Sequence, residues 1–339
     1  MTQPLLIWVL ADDRAGNVAQ ATGVAEALGD AFATQEIRYT PLARLPNVIT
    51  GARLLGLTPE SRAGLMPPWP DLVIAAGRRT APVARWIKRE AMRTSGRPVI
   101  LVQLMNPGRS GADEFDLIAV PQHDCALPGG DAVNVLRTIG AAHRLTPVRL
   151  AQAGQAWAGR VAGLPKPHIA LLVGGATHSK PFPTALATDL GQRAQALAAA
   201  AGGSVLLASS RRTGAAAEAA LATAIREPRQ LFLWSQGGDN PYTGYLALAD
   251  AIVVTGDSVS MCTEACAAGK PVYIYAPAGM VAPKHARLHE QLYARGLAKP
   301  LPETFDAGFA PWHQEALKPA GEIARAVRGL LDRRLAQAS

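Results

Sequence analysis

Cysteine, aromatic residues and long apolar runs are all scarce in this chain, and each scarcity excludes something. Three cysteines in 339 residues, Cys125, Cys262 and Cys266, form no disulfide framework. An odd, sparse set reads as reduced thiols packed as small core residues, which suits a reducing cytoplasm. No apolar run reaches the roughly 20 residues of a membrane-spanning helix. The run at residues 5–11 lacks the basic flank and cleavage site of a secretory leader. Aromatics make up only 5%, and no lysine/arginine block is interleaved with them, so nucleic acid ranks last among partners. The GxGxxG dinucleotide fingerprint and the Walker A loop are missing as well.

What is present points to an α/β protein. The length allows two domains of ordinary size, and 49% of the residues are apolar, with alanine dominant, as close helix–sheet packing requires. Net charge is +8 with a pI of about 9.7, carried mostly by arginine. That balance favours acidic partners such as nucleotide phosphates or an anionic membrane surface.

Residues 251–275, AIVVTGDSVSMCTEACAAGKPVYIY, organise the rest. They read as a buried strand, a tight polar loop, a helix and a second strand, apolar throughout as in a parallel sheet covered on both faces. Gly256 is expected to let the chain turn sharply out of the strand. Ser258, Ser260 and Met261 then open the helix, where free amides and the positive dipole end favour an anion. Glu264, about one turn further in, suits a pair of ribose hydroxyls. The plainer alternative is that Ser258 only caps the helix and Glu264 is a solvated acid.

The same strand–loop–helix pattern recurs along the chain. Strands are predicted at residues 4–10, 34–39, 71–75, 98–103 and 115–120, and again at 168–173, 204–208 and 231–234. Residues 42–66 are irregular, rich in Arg, Leu, Gly and Pro, and read either as an excursion with an exposed apolar edge facing a membrane or an acceptor or, as is commoner for such segments, as a packed connection. The loop after the first strand holds Asp12 and Asp13, candidate general bases or simple caps; His123 beside Asp124 is a third candidate, or equally a histidine bonded to loop backbone. Gly77, Arg78, Arg79 and Thr80 follow the 71–75 strand, with Thr80 suited to an N-cap and the arginines to a phosphate clamp. Gly174 and Gly175 end the 168–173 strand in a loop able to wrap a phosphate. Ser209, Arg211 and Arg212 follow the 204–208 strand, and Thr213 completes an Arg-Arg-Thr echo of residues 78–80, as if both halves presented arginines at one topological place. His285 and His289, four apart, make at most half a metal site, so no metal is assigned.

Two successive βα domains of this kind resemble GT-B glycosyltransferases, with two Rossmann-like βαβ domains facing across a cleft. The segment with Ser258, Glu264, Gly269, Lys270 and Pro271 is similar to the donor site of the N-acetylglucosaminyltransferase that makes lipid II, where the glutamate binds the ribose. Over nearly the whole chain the motifs Gly16…Gln20, 75–80, 121–124, Gly174-Gly175, 209–213, Asn240-Pro241-Tyr242 and 257–261 with Glu264 resemble the mitochondrial fission ELM family. The family often has Gly-His where this chain has Gly16-Asn17, which moves the acid/base role to Asp12, Asp13 or His123.

The resemblance implies an amino-terminal acceptor-side domain (1–148), a linker (149–166), a carboxyl-terminal donor domain (167–314) and a last helix (315–339) returning to the first domain. The donor would be a UDP-type nucleotide-sugar, held by Gly174, Gly175, Ser209, Arg211, Arg212, Ser258, Ser260, Met261 and Glu264, with no separate cofactor. Gly16, Gln20, Gly77, Arg78, Arg79, Thr80, Asn240 and Tyr242 would contact substrate. The expected activity is sugar transfer to a lipid-linked or phosphate-bearing acceptor of cell-envelope synthesis, in the cytoplasm at the inner membrane surface. A nucleotide-sugar epimerase and a non-catalytic adaptor on the same fold are the alternatives.

Overall fold

The computed structural model of the chain describes residues 4–108, 110–124, 133–305 and 310–338, so Cys125 lies outside the described residues. The chain divides into two compact units, Met1–Arg144 with Lys318–Ser339, and Leu145–Leu317.

The first unit alternates strands and helices: β1 (Ile7–Ala11), α1 (Ala15–Leu28), β2 (Phe32–Glu36), short helices α2 (Asn47–Thr50) and α3 (Pro59–Ala63), β3 (Leu72–Ala76), α4 (Ala81–Ser95), β4 (Ile100–Leu104), β5 (Leu117–Pro121) and β6 (Val135–Thr138). The strands pair in parallel in the order β2-β1-β3-β4-β5-β6. Strands β3, β4 and β5 are buried along their whole length, which is why they carry apolar residues without alternation. Gly29 and Gly96, both at positive φ, end α1 and α4, where a side chain would be strained. Trp8 packs tilted on Trp69 and Trp69 edge to face on Trp86, with centroids 6.1 and 6.0 Å apart, gathering three of the scarce aromatics in one core.

The second unit continues with α5 (Pro147–Val161), β7 (His168–Leu172), α6 (Thr184–Ala200), β8 (Ser204–Ala208), α7 (Ala215–Ala224), β9 (Arg229–Phe232), α8 (Tyr242–Leu248), β10 (Ala251–Thr255), α9 (Val259–Ala267), β11 (Val272–Tyr275), α10 (Pro283–Ala294) and β12 (Lys299–Pro300). Its parallel sheet has the order β12-β11-β10-β7-β8-β9. Helix α5 fills most of residues 149–166 and packs with α8 inside this unit, where Trp157 lies edge to face with Tyr245. The last helix, α11 (Pro319–Ala338), lies against α1 and completes the core of the first unit with Ile323, Val327 and Leu331.

Each sheet reverses its winding once, between β1 and β3 in the first unit and between β7 and β10 in the second. In open α/β sheets the loops at the carboxyl ends of the strands flanking such a reversal are where ligands bind.

Candidate functional site

In the second unit the reversal brings together the loops after β7 and β10. Gly174 donates its amide to Thr255 Oγ1 at 2.8 Å, and Gly175 donates to Asp257 Oδ2 at 3.2 Å. Arg212 reaches over from the loop after β8 and donates through Nη1 to the same Asp257 oxygen at 2.6 Å, and to the carbonyl of Ala176 at 3.1 Å. A Cβ on Gly174 would run into the Asp257 carboxylate, and one on Gly175, which sits at φ +125°, would run into the carbonyl of Arg212. The two glycines are therefore required by close approach and, at Gly175, by backbone conformation as well. Asp257 carries this junction, and sequence reasoning left it out of the candidate ligands. The available signal was an acid next to Gly256 at the end of a fully buried strand.

Helix α9 follows at once. Ser258 is its N-cap, accepting from the amide of Met261 at 3.3 Å, while Ser260 stays exposed in the first turn. The remaining first-turn N–H groups have no partner within the helix, as at any helix start. Gly256 is not at positive φ, so the sharp turn expected of it does not explain the glycine. The reason is steric: a Cβ there would press on the His289 ring, 2.9 Å from its Nε2, and that nitrogen lies 3.0 Å from the Gly256 carbonyl. His285 and His289 are both buried in α10, and no cluster of three or more metal-ligating side chains occurs among the described residues.

Glu264 is mostly buried and accepts a hydrogen bond from Tyr242 Oη at 2.6 Å, so the two residues, 22 apart in sequence, form one unit. Burial raises the Glu264 carboxyl above its ordinary value, only partly offset by the Tyr242 hydrogen bond. The sign follows directly. Stability from the neutral form is complete below the unfolded-state value and is lost as pH rises through the higher folded-state value. Glu264→Gln should therefore melt higher than the wild type near pH 7.5, and the gain should shrink near pH 4.5. Thermal melts of both proteins at the two pH values check this, and a wild type more stable than the variant at pH 7.5 would contradict it. Asn240 accepts from the Tyr242 amide at 3.0 Å, which shapes the start of α8.

The loop 209–213 is mainly a brace. Ser209 Oγ donates to Glu218 at 2.6 Å and accepts from the Trp234 amide, and Thr213 Oγ1 donates to the carbonyls of Val173 and Gly174. Of its two arginines, Arg211 is exposed and Arg212 is held as above. Cys262 and Cys266 are free and buried in α9, and burial pushes the Cys266 thiol up to about 12.

The first unit has its own cluster at the reversal. Asp12 accepts from Asn17 Nδ2 at 2.9 Å and from the Arg14 amide at 3.0 Å, and lies 3.6 Å from Arg79. Exposed Asp13 is paired with Arg79 through both terminal guanidinium nitrogens, and that hydrogen bonding holds its carboxyl below the usual range. Arg79 also lies over the Tyr39 ring, 4.4 Å from its centroid. Gly77, at φ +83°, leaves room for Asn17, whose Nδ2 a Cβ would approach to 2.6 Å.

Arg78 is directed elsewhere. It donates to the carbonyls of Leu45 and Ala43 and to Asn47 Oδ1. Thr80 does not cap α4 with its side chain; its buried hydroxyl donates back to the carbonyls of Ala76 and Gly77. Gly16 is exposed, Gln20 donates to Met105 Sδ at 3.7 Å, and His123 is buried. The two Arg-Arg-Thr turns are not equivalent: one follows β3, which flanks the reversal, the other β8, one strand removed from it. A single strand lies beyond β1 in the first sheet, whereas two lie beyond β7 in the second.

Two parallel six-stranded sheets with this winding define an α/β protein of the GT-B kind. A solved UDP-GlcNAc 2-epimerase from Methanocaldococcus jannaschii matches with a TM-score of 0.55 over 96% of this chain and 99% of that one, at 11% identity, a likeness of fold alone. The chain belongs to the mitochondrial fission ELM1 family, whose model matches residues 15–331. It is 30% identical over 278 residues to the mitochondrial fission protein ELM1 of Arabidopsis thaliana, spanning 76% of this chain and 63% of that longer relative. It is 28% identical over 345 residues to the uncharacterized protein RP120 of Rickettsia prowazekii, covering 93% of this chain and 95% of the relative. No helix among the described residues is long and apolar enough to cross a membrane.

Proposed function

We propose that the protein is a glycosyltransferase-like enzyme that holds a UDP-type nucleotide-sugar in its second unit. The sugar passes to a lipid-linked or phosphate-bearing acceptor of cell-envelope glycoconjugate synthesis. The observation that carries this reading is the pairing of Glu264 with Tyr242 one turn inside a serine-capped helix, at the carboxyl end of β10 where the sheet reverses. Tyr242 holds Oε2 of the carboxylate, and the other oxygen is left to accept from a ribose diol. The diphosphate lies at the first turn of α9, where helix amides and Arg211 or Arg212 stabilise the charge that grows on the leaving phosphate. The name of the epimerase that shares the fold supports a UDP-sugar as the first ligand to test.

The acceptor hydroxyl needs a base, and the first unit offers three. Asp12 is engaged by Asn17 and the Arg14 amide with Arg79 3.6 Å away, His123 is buried, and Asp13 is exposed but weakened as a base by Arg79. Asp13 is the accessible one, and it must leave Arg79 to act at neutral pH.

Isothermal titration of the wild type with UDP, GDP, ADP and CDP is the deciding experiment. UDP should bind most tightly and raise the melting temperature. Product analysis of UDP-sugars with and without acceptor then separates transfer from epimerisation. Absence of binding by every nucleotide would abandon the enzyme reading for an adaptor.

A further inference from the structure

The excursion between β2 and β3 leaves large apolar side chains in solvent. Leu42, Val48, Ile49, Leu55 and Met66 are exposed by 51, 76, 56, 41 and 61%, and they fall within 25 residues of sequence (42–66). Scattered exposed apolar residues are ordinary, but a concentration of this kind marks a contact surface. Arg44, Arg53 and Arg62 are exposed in the same segment, against the single acid Glu60.

The segment is a fixed platform. Gly56 lies so close to Ala43 that a Cβ would come within 2.8 Å of its Cα, which sets Leu42 and Leu55 beside the same junction. Arg78 binds the carbonyls of Ala43 and Leu45, and Asn47, at the start of the turn that carries Val48 and Ile49, donates to the carbonyls of Arg78 and Pro107 at 2.9 and 2.7 Å. The backbone beside Leu42, Val48 and Ile49 is thereby tied to the loop that carries Arg78.

The geometry points to docking of this platform on a bilayer that contains anionic phospholipid. The occupant follows from charge complementarity: apolar side chains that enter the boundary between headgroups and acyl chains, flanked by three arginines for acidic headgroups. It does not rest on the nucleotide reading, since residues 42–66 share no ligand position with the second unit.

Sedimentation of the full chain with large unilamellar vesicles tests it, using phosphatidylcholine alone and phosphatidylcholine with about 30 mol% phosphatidylglycerol. The wild type should partition onto the anionic vesicles on the order of tenfold or more better than onto the neutral ones, with the advantage falling as salt rises. Val48→Ser with Ile49→Ser should lose roughly tenfold, and Arg44→Gln with Arg53→Gln about fivefold per arginine at low salt. Val148→Ser removes an equally exposed apolar residue, 64% accessible, from the second unit, and should change nothing. Unaltered melting curves would show that the variants are folded. Binding of the wild type to neither vesicle overturns the lipid assignment and leaves a protein as the occupant. Undiminished binding by the Val48/Ile49 variant, or an equal loss in Val148→Ser, overturns the platform.

Discussion

Glu264→Ala should lower the affinity for whichever nucleotide the wild type binds by about ten- to a hundredfold, or roughly 1.5–3 kcal/mol, the range for hydrogen bonds to a charged group. The loss has two sources that separate cleanly. One is the oxygen that accepts from ribose; the other is the acceptor that Tyr242 Oη now uses at 2.6 Å. Tyr242→Phe removes only the second and should cost much less affinity. Glu264→Gln keeps an amide oxygen that accepts one bond and should fall between the two. Isothermal titration of the three variants against the best nucleotide gives the ranking. Full affinity in Glu264→Ala would place the nucleotide elsewhere.

Gly175→Ala should be strongly damaging to the second unit. The residue sits at φ +125°, and the added carbon would run into the carbonyl of Arg212. Backbone strain and overpacking together are expected to cost about 2–4 kcal/mol. For a unit of this size that is a fall in melting temperature of roughly 6–12 °C. The collision falls on Arg212, so the variant should also lose nucleotide binding in proportion to its displacement of that guanidinium. A melting temperature within about 1 °C of the wild type would mean that the loop is not held as described.

The central strands of both sheets were legible because they are buried on both faces and read as short apolar runs bounded by glycine or polar loops, whereas β6, only partly buried, was not anticipated. The strands at Ser204–Ala208 and Ala251–Thr255 begin and end where the pattern changes. Strand β12, two residues with a proline, carries no such signal, and α7 is an alanine run with no clear polar face. At the site, residue types were legible and partnerships were not. Glu264 and Tyr242 could each be singled out, but their hydrogen bond joins two helices, α8 and α9, whose placement depends on strand β10 that connects them. Arg78 looked like a phosphate ligand because nothing in the irregular residues 42–66 announces carbonyls that fold back to meet it. Thr80 looked like a cap because Thr-Ala-Pro fits one, yet its buried hydroxyl turns back to the strand end. Gly256 and His289 are 33 residues apart, so the reason for that glycine exists only in three dimensions.

The last helix has a consequence for how the chain comes into being. The first unit is assembled from two pieces of sequence with the whole second unit between them. Ile323, Val327 and Leu331 of α11 close its core, and Arg328 ties back to the carbonyl of Leu28 and to Asp30. During synthesis the amino-terminal strands leave the ribosome first but wait for almost the entire polypeptide before that core can be shut. The second unit, continuous in sequence, can fold in the interval. The second unit can thus be complete before the first, although the first begins the chain.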